Sequence, residues 1–139
     1  MIPRFRAWLK NDKEMIEADE IHWYRGQLDF IGDAITFMRK ADEIELMQST
    51  GLKDKNGQEI FAGDIIDTTD YEGGLSSVGN PLVKVESDKY GFIVTGDFPC
   101  SPITLKEFED GRKFAGVKVK IIGNVYENPE LLEANDDRD

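Results

Sequence analysis

The stretch "TGLKDKNGQEIFAGDII", residues 50–66, places turn-forming residues between short apolar segments. Its "DKNG" segment, residues 54–57, matches a type I turn, in which Asp favours the first position and Gly the fourth. A turn of this kind with a glycine bulge joins two antiparallel strands, here ending near residue 52 and restarting at residue 58. A second sharp corner at residues 63–64 precedes another strand. We therefore predict short antiparallel strands that reverse quickly, with four structural turn residues: Asp54, Gly57, Gly63 and Asp64.

The composition predicts a folded chain in a reducing compartment. The 139 residues include 40% apolar and 10% aromatic residues, more than a disordered chain contains. The single cysteine, Cys100, cannot form an internal disulfide, which favours a reducing compartment such as a cytoplasm. No apolar run approaches the length of a bilayer span, and no leader peptide is evident. We expect a soluble, cytoplasmic protein without a membrane partner.

The charge of the chain argues against nucleic acid as its main partner. The formal net charge is −11, from 17 basic and 28 acidic residues. Phosphate backbones are bound by clustered Lys and Arg, and no part of this sequence is basic overall.

The N-terminal third predicts hairpins with aromatic residues on a second face. In "PRFRAWLK", apolar residues alternate along one face, and Trp8 stands on the other. With the turn at "NDKE", residues 3–24 predict a hairpin that ends in Trp23 and Tyr24. Residues 33–41 fit a strand or a helix, and we favour the strand because "ITF" is β-favouring. In "EIELMQST", Ile44, Leu46 and Gln48 are expected on one face.

The C-terminal half predicts further strands and one or two short helices. Residues 70–81, rich in Gly and Ser, predict a long loop of unassigned role, followed by strands at "PLVKVES" and "GFIVTG". A helix is expected to start at Ser101 or Thr104 and to end before Gly111, with Glu107 completing a capping box. A strand is predicted at "GVKVKIIG" and a last helical turn at "NPELLEA", which Asn128 would cap.

These elements predict a mainly β, β-rich α+β fold. The short antiparallel strands would form a small, Src-homology-3-like twisted barrel plus an N-terminal hairpin or sheet, with one or two short helices. We expect one domain over residues 1–139, with a soft internal boundary near residue 50. Residues 1–49 would hold the N-terminal hairpins, residues 50–132 the barrel-like half, and residues 133–139 a frayed tail.

The sequence offers few groups for catalysis, so we predict no catalytic residues, no cofactor and no metal site. His22 is the only histidine and lies in a predicted strand, where a packed or surface role is expected. Cys100 lies in a predicted turn with nothing nearby to lower its pKa. A binding role shared by Asp54, Asn56 and Asp64 is the alternative to a purely structural turn, but a metal would need more oxygen ligands.

Three segments resemble the YopX family of phage and prophage proteins: "RFRAW", "LMQSTGLKDKNGQEIFAGDII" and "IIGNVYENPELL". The resemblance spans nearly the whole chain and implies a β-rich fold. It also implies a gene carried by a phage or prophage of a low-GC Gram-positive host. It implies no biochemical activity.

Two hypotheses about function follow. The first is a non-enzymatic phage accessory protein that acts by protein–protein interaction or self-assembly, as a homo-oligomer or with a host or phage protein. Its candidate interface residues are Trp8, Trp23 and Tyr24. The alternative is a nucleic-acid-associated accessory factor, or an acidic DNA mimic, that uses the small barrel and an aromatic platform at Tyr90 and Phe92.

Overall fold

The computed structural model describes residues 4–71, 82–88, 91–96 and 101–132. The chain forms two compact units, Met1–Ser49 and Thr50–Asp139. The predicted mainly β fold class is confirmed: the sheets are antiparallel, and they include a curled half-barrel. Most of the predicted loop at 70–81, the tail at 133–139 and Cys100 lie outside the described residues.

The first unit contains two small antiparallel sheets. Its strands are β1 (Phe5–Leu9), β2 (Glu14–Glu17), β3 (Ile21–Tyr24), β4 (Gln27–Gly32), β5 (Met38–Lys40) and most of β6 (Ile44–Lys53), with a 3-10 turn at Ala41–Glu43 before β6. One sheet has the order β2-β1-β6, and β3-β4-β5 forms the other. Strand β6 continues past Ser49 into the second unit, where β7 (Glu59–Phe61) lies next to it.

The core of the first unit grows from the apolar face of β1. Ala7 lies opposite Leu46, and Leu9 lies opposite Ile44. Ala7, Leu9 and Ile44 are buried, and Ile31 of β4 joins their cluster. Burying a side chain of this size contributes about 1.5–3 kcal/mol, so this cluster holds the unit's two sheets together.

The predicted hairpin over residues 3–24 is wrong in its second half. Strands β1 and β2 do form a hairpin, in which Trp8 lies opposite Met15. The extended pattern is then interrupted at residues 18–20, where Ala18 is buried. After this break β3 pairs with β4 and not with β1. Periodicity marks both stretches as extended, but it does not say which strand each one pairs with.

The favoured strand over residues 33–41 is confirmed only at Met38–Lys40, and the alternative helix is wrong. Residues 33–37 form a loop, and only the short β5 follows. The Asp33 carboxylate accepts hydrogen bonds from the backbone N–H groups of Ile35, Thr36 and Phe37 at 2.8–3.0 Å. These groups cannot also serve a strand ladder, so the side chain of Asp33 overrides the β propensity of its neighbours.

Strand β6 departs from the predicted alternation. Ile44 and Met47 are each only 3% exposed, although they are three residues apart and lie on opposite faces. Gln48, expected beside Ile44 and Leu46, is exposed. A strand that is buried on both faces loses the simple period of two, which explains the error.

The second unit contains the curled sheet. Its further strands are β8 (Asp64–Tyr71), β9 (Leu82–Asp88), β10 (Gly91–Gly96), β11 (Ile103–Thr104) and β12 (Val117–Asn124), in the order β11-β10-β9-β8-β12. Two register shifts between β8 and β12 mark bulges, which bend a strand and increase its twist. The core consists of aliphatic side chains from five strands: Ile60, Ile66, Val83, Val85, Val94, Val117 and Val119.

Helix α1 (Leu105–Ala115) packs against this core through Leu105 and Phe108. Thr104 caps its start and forms the predicted capping box with Glu107. The backbone N–H and the hydroxyl of Thr104 both donate to the Glu107 carboxylate at 3.0 Å, and they lower the pKa of Glu107.

The predicted end of helix α1 before Gly111 is wrong. The helix continues to Gly116, whose left-handed conformation (φ 74°) ends it. Glu109 and Arg112, on either side of Gly111, form a bidentate ion pair at 2.6 and 2.7 Å that fixes this turn. A glycine inside a helix weakens it but does not end it by itself.

None of the described helices is long and apolar enough to cross a membrane.

Candidate interaction surface

The surface begins with the tight hairpin between β3 and β4. Tyr24 lies opposite Gln27, so only Arg25 and Gly26 form the turn. Both turn residues have positive φ, 53° and 79°, as in a type I′ turn. This turn matches the twist of the two strands and holds the end of β3 at the surface.

Strand β3 exposes two large aromatic side chains. Trp23 is 55% exposed and Tyr24 is 62% exposed. The guanidinium of Arg25 lies 5.2 Å from the centre of the Tyr24 ring, a cation–π contact that limits the ring's motion. Because successive residues of a strand point to opposite faces, the two aromatic residues offer apolar area on both sides of this edge.

His22 contributes a second ring to the hairpin. It stacks on Phe30 of β4, with the ring centres 4.2 Å apart. Its Nε2 lies 3.1 Å from the carbonyl oxygen of Gly32. The ring is exposed at the surface. Its contacts with Phe30 and Gly32 join β3 to β4.

Trp8, the third candidate interface residue, does not lie in the same sheet. It is in β1, where it lies opposite Met15 on one side and Glu45 on the other. Its side chain is half-buried, and Met47 on the same face of β6 is only 3% exposed. This face of the sheet is therefore partly covered around Trp8, which offers less free surface than Trp23 or Tyr24.

A shallow pocket of about 200 Å³ lies between the end of β2 and the Asp33 loop. It is lined by four carboxylates and four apolar side chains: Glu17, Asp19, Glu20, Asp33, Ile16, Ala18, Ile31 and Phe37. Two of the carboxylates are engaged, since Glu17 binds Arg4 at 2.9 Å and Asp33 binds its own loop. Among its lining residues the pocket has acids but no nucleophile or imidazole, and it presents negative charge beside β3.

The predicted turn at residues 54–57 closes β6 onto β7. The N–H of Gly57 donates to the carbonyl of Asp54 at 3.0 Å, and Gly57 has a φ of 82°. The Asp54 carboxylate accepts hydrogen bonds from Asn56 and Gln58 within the turn. Its other oxygen accepts from the N–H of Ile121 at 3.0 Å, 67 residues away along the chain.

The surroundings of Asp54 favour its charged form. Burial alone would raise the pKa of this carboxyl, since the residue is only 7% exposed. The N–H groups of Ile121, Gln58 and Asn56, with the charge of Lys120, outweigh burial and lower the pKa. Three donors already occupy the carboxylate, which leaves it few lone pairs for a ligand.

The second corner, Gly63-Asp64, is also held by local hydrogen bonds. Gly63 has a φ of 94°, and its N–H donates to Val85 at 2.6 Å. Asp64 is 1% exposed, and its Oδ2 accepts from the N–H of Phe61 at 2.8 Å. In the part of the chain that is described, no group of three Asp, Glu, His or Cys side chains is placed to hold a metal ion.

The last turn of the described chain binds back onto β12. The predicted last helical turn is present at residues 130–132, and the N–H of Leu131 donates to the carbonyl of Asn128 at 3.1 Å. The side-chain oxygen of Asn128, expected to cap this turn, instead accepts from the N–H of Asn124 at 3.2 Å. Asn124 in turn accepts from Tyr126 and Glu127. A Cβ on Gly123 would meet the Asn128 side-chain oxygen at 2.5 Å, so a larger residue would displace the Asn128 side chain from this contact.

Two exposed apolar side chains were missed by the sequence analysis. Ile35 is 89% exposed in the Asp33 loop, and Phe114 is 96% exposed near the end of α1. A signal for Phe114 exists: it directly follows Arg112 and Lys113, on a face of the helix away from Phe108. No comparable signal marks Ile35.

Solved structures show the same fold over nearly the whole chain. Protein EF1440 from Enterococcus faecalis is 27% identical, with a TM-score of 0.59 over 95% of this chain and 99% of that one. Protein YopX from Bacillus subtilis is 18% identical, with a TM-score of 0.58 over 93% of this chain and 97% of that one. No curated protein matches the sequence. The family model described as YopX protein matches residues 4–133, which confirms the predicted resemblance, and the chain therefore belongs to the YopX family.

Proposed function

We propose that this protein is a non-enzymatic accessory protein of a phage or prophage, and that it acts through protein–protein contacts in the host cytoplasm. The contact surface is the β3–β4 hairpin. The observation that carries the proposal is the exposure of Trp23 and Tyr24, 55% and 62%, on an edge strand. The phage setting is what the YopX resemblance implies.

The chemistry of the hairpin supports a protein partner. Tyr, Trp and Arg are the residues enriched at the centres of protein interfaces, and here they are adjacent as Trp23, Tyr24 and Arg25. An edge strand adds unpaired backbone groups that a partner's strand can complete. Two rigid side chains on a short turn also lose little conformational entropy on binding.

The proposal of a non-enzymatic role rests on the contacts of the histidine and of two buried carboxylates. His22 stacks on Phe30 and lies beside the Gly32 carbonyl. The buried carboxylate of Asp54 is occupied by backbone donors, and Asp64 accepts from Phe61. These are the roles of structural groups.

The nucleic-acid alternative has less support. Of its aromatic platform, Tyr90 lies outside the described residues, and Phe92 is half-buried in β10. The net charge of −11 opposes a polyanion. An acidic DNA mimic would instead bind a DNA-binding protein, which is a form of the protein–protein hypothesis.

A pull-down from phage-infected host cells tests the proposal. The bait is the full chain, compared with a Trp23→Ala/Tyr24→Ala double variant and with Phe114→Ala. The control removes an even more exposed aromatic side chain, from the second unit. We expect that the wild type and Phe114→Ala retain a partner protein and that the double variant loses it. The same partner should bind the wild type when both proteins are purified. Equal retention by all three baits would contradict a role for the hairpin.

A gel-shift series with DNA and RNA separates the two hypotheses. A nucleic-acid binder loses affinity steeply as salt increases. We expect no shift at low salt, where such affinity would be greatest. A salt-sensitive shift that Phe92→Ala weakens would favour the nucleic-acid alternative.

A further inference from the structure

We propose that two copies of this chain associate by antiparallel pairing of their β3 strands, with the two-fold axis at His22. This inference rests on the proposed function, because it assigns a second copy as one partner of the hairpin.

The outer edge of β3 has backbone groups available for pairing. Strand β3 pairs with β4 on one side, and within the described residues no strand pairs with its other side. The carbonyl of Glu20 accepts from the N–H of Gly32 at 2.9 Å, so the peptide groups of residue 20 face β4. Tyr24 closes the two-residue turn and therefore also faces β4.

The β3–β4 ladder has one register shift, between His22 and Trp23, where Asp29 is an extra residue of β4 without a partner on β3. Because the extra residue lies in β4, strand β3 keeps its own alternation, and this alternation fixes which of its backbone groups face outward. Residues 20, 22 and 24 direct their N–H and C=O groups to β4, and residues 21 and 23 direct theirs away. Only registers that bring Ile21 and Trp23 of one copy against Ile21 or Trp23 of the other can form hydrogen bonds. A symmetric pair that uses both residues has its axis at His22, where Ile21 of each copy lies opposite Trp23 of the other.

The side chains are complementary in this register. Two apolar pairs form, each with the indole of one copy beside Ile21 of the other. Glu20 lies opposite Tyr24 of the second copy, whose ring carries the Arg25 guanidinium at 5.2 Å. With the axis at Trp23 instead, Ile21 would lie opposite Arg25, which leaves an apolar side chain against a charge.

Charge at the two ends of the strand favours the same arrangement. Asp19 and Glu20 precede β3, and Arg25 follows it. None of the three forms an ion pair with another described residue. Antiparallel pairing brings the acidic end of each copy to the basic end of the other, twice per dimer, because a two-fold interface repeats every contact.

Cysteine cross-linking tests the register. In a Cys100→Ser background, His22→Cys places two cysteines directly opposite each other at a non-hydrogen-bonded pair, where Cα atoms are about 4.5 Å apart. We expect rapid disulfide-linked dimer from His22→Cys under mild oxidation. Tyr24→Cys, next to the same turn but opposite Glu20, is the matched control and should remain mostly unlinked. Efficient linking at Trp23→Cys or Tyr24→Cys, without linking at His22→Cys, overturns the proposal.

Sedimentation of the unlinked protein tests whether the pair forms at all. At micromolar concentration we expect a species of twice the 15.8 kDa chain mass. Arg25→Glu should give a folded 15.8 kDa monomer, and Arg25→Glu combined with Asp19→Arg, the residue opposite it in this register, should restore the dimer. A wild type that stays at 15.8 kDa on concentration overturns the proposal. The proposed function would then still stand if the Trp23→Ala/Tyr24→Ala variant loses a partner that the monomeric wild type binds.

Discussion

Asp33 and Asp54 perform the same local task in the two units, yet their surroundings differ. Each carboxylate accepts hydrogen bonds from backbone N–H groups in the residues that follow it. Asp33 is exposed and all its partners lie within four residues. Asp54 is 7% exposed, and one of its partners is Ile121.

The two carboxylates therefore have different structural roles: Asp33 stabilises a single loop, and Asp54 stabilises the fold of its unit. A bond between neighbours in sequence stabilises a local conformation, and water can replace it when the site is exposed. A buried bond between β12 and a turn 67 residues away cannot be replaced in this way. The stability of the second unit should therefore depend on Asp54, and that of the first unit should depend little on Asp33.

The largest expected effect is that of Asp54→Ala. The substitution leaves three backbone N–H groups without their acceptor, and the Ile121 group lies in a part-buried position. We expect a loss of about 3 kcal/mol in the free energy of unfolding. Urea unfolding of the variant measures it, with Asp29→Ala as the control at an exposed aspartate. A loss no larger than that of Asp29→Ala would remove the distinction between the two carboxylates.

The bonds of Asp54 also show how far sequence analysis reaches. The turn at residues 54–57 and the Thr104–Glu107 capping box were predictable because every group that defines them lies within four residues. The bond to Ile121 was not, since no local pattern shows which distant N–H a turn will meet. The loop at residues 33–37 was predicted wrongly because β propensity ignores the competing side chain of Asp33.

The candidate surface was predictable in its residue types but not in its exposure. Alternation placed Trp8 on a face apart from Ala7 and Leu9, and it marked Trp23 and Tyr24 as neighbours on opposite faces. It could not show that Trp8 is half-buried while the other two are mostly exposed, because burial depends on distant chain segments. Strand β3 is an edge strand because it pairs with β4 and not with β1. Periodicity predicts that a segment is extended, but it does not predict which strand that segment pairs with.

A smaller effect is expected from Gly57→Val in the same turn. A Cβ at this position would meet nothing within 4 Å, so the cost comes only from the φ of 82°. A β-branched residue resists this conformation, and we expect a loss of about 1 kcal/mol or more in the free energy of unfolding. Gly57→Asn is the control, since Asn tolerates the left-handed region and should lose less. Equal losses for Val and Asn would show that the backbone angle does not limit the turn.

The pH dependence of stability sharpens the role of Asp54. Its pKa is lower in the folded protein than its ordinary value of 3.8, so the charged form favours folding. This contribution is complete well above 3.8 and is lost as the pH falls through the folded pKa. We expect the stability gap between the wild type and Asp54→Asn to narrow over that acidic range, as measured by urea midpoints at decreasing pH. A gap that stays constant or widens would show that the charge of Asp54 does not stabilise the fold.

The smallest expected effect on global stability is that of Asp33→Ala. The pKa of Asp33 is also lowered, chiefly by the Thr36 hydroxyl and then by the N–H groups of Phe37, Ile35 and Thr36. The carboxylate is exposed, however, and its bonds close only the loop between β4 and β5. The melting temperature should change less than in Asp54→Ala or Gly57→Val, while amide hydrogen exchange at residues 35–37 should become faster. Thr36→Val, which removes one of the four bonds, should accelerate exchange less.

Phe37 packs against the core of the first unit. If the loop exchanges faster while the unit stays folded, this core does not depend on the hydrogen bonds of the loop. A melting temperature lowered as far as in Asp54→Ala would mean instead that the exposed carboxylate also holds a fold together.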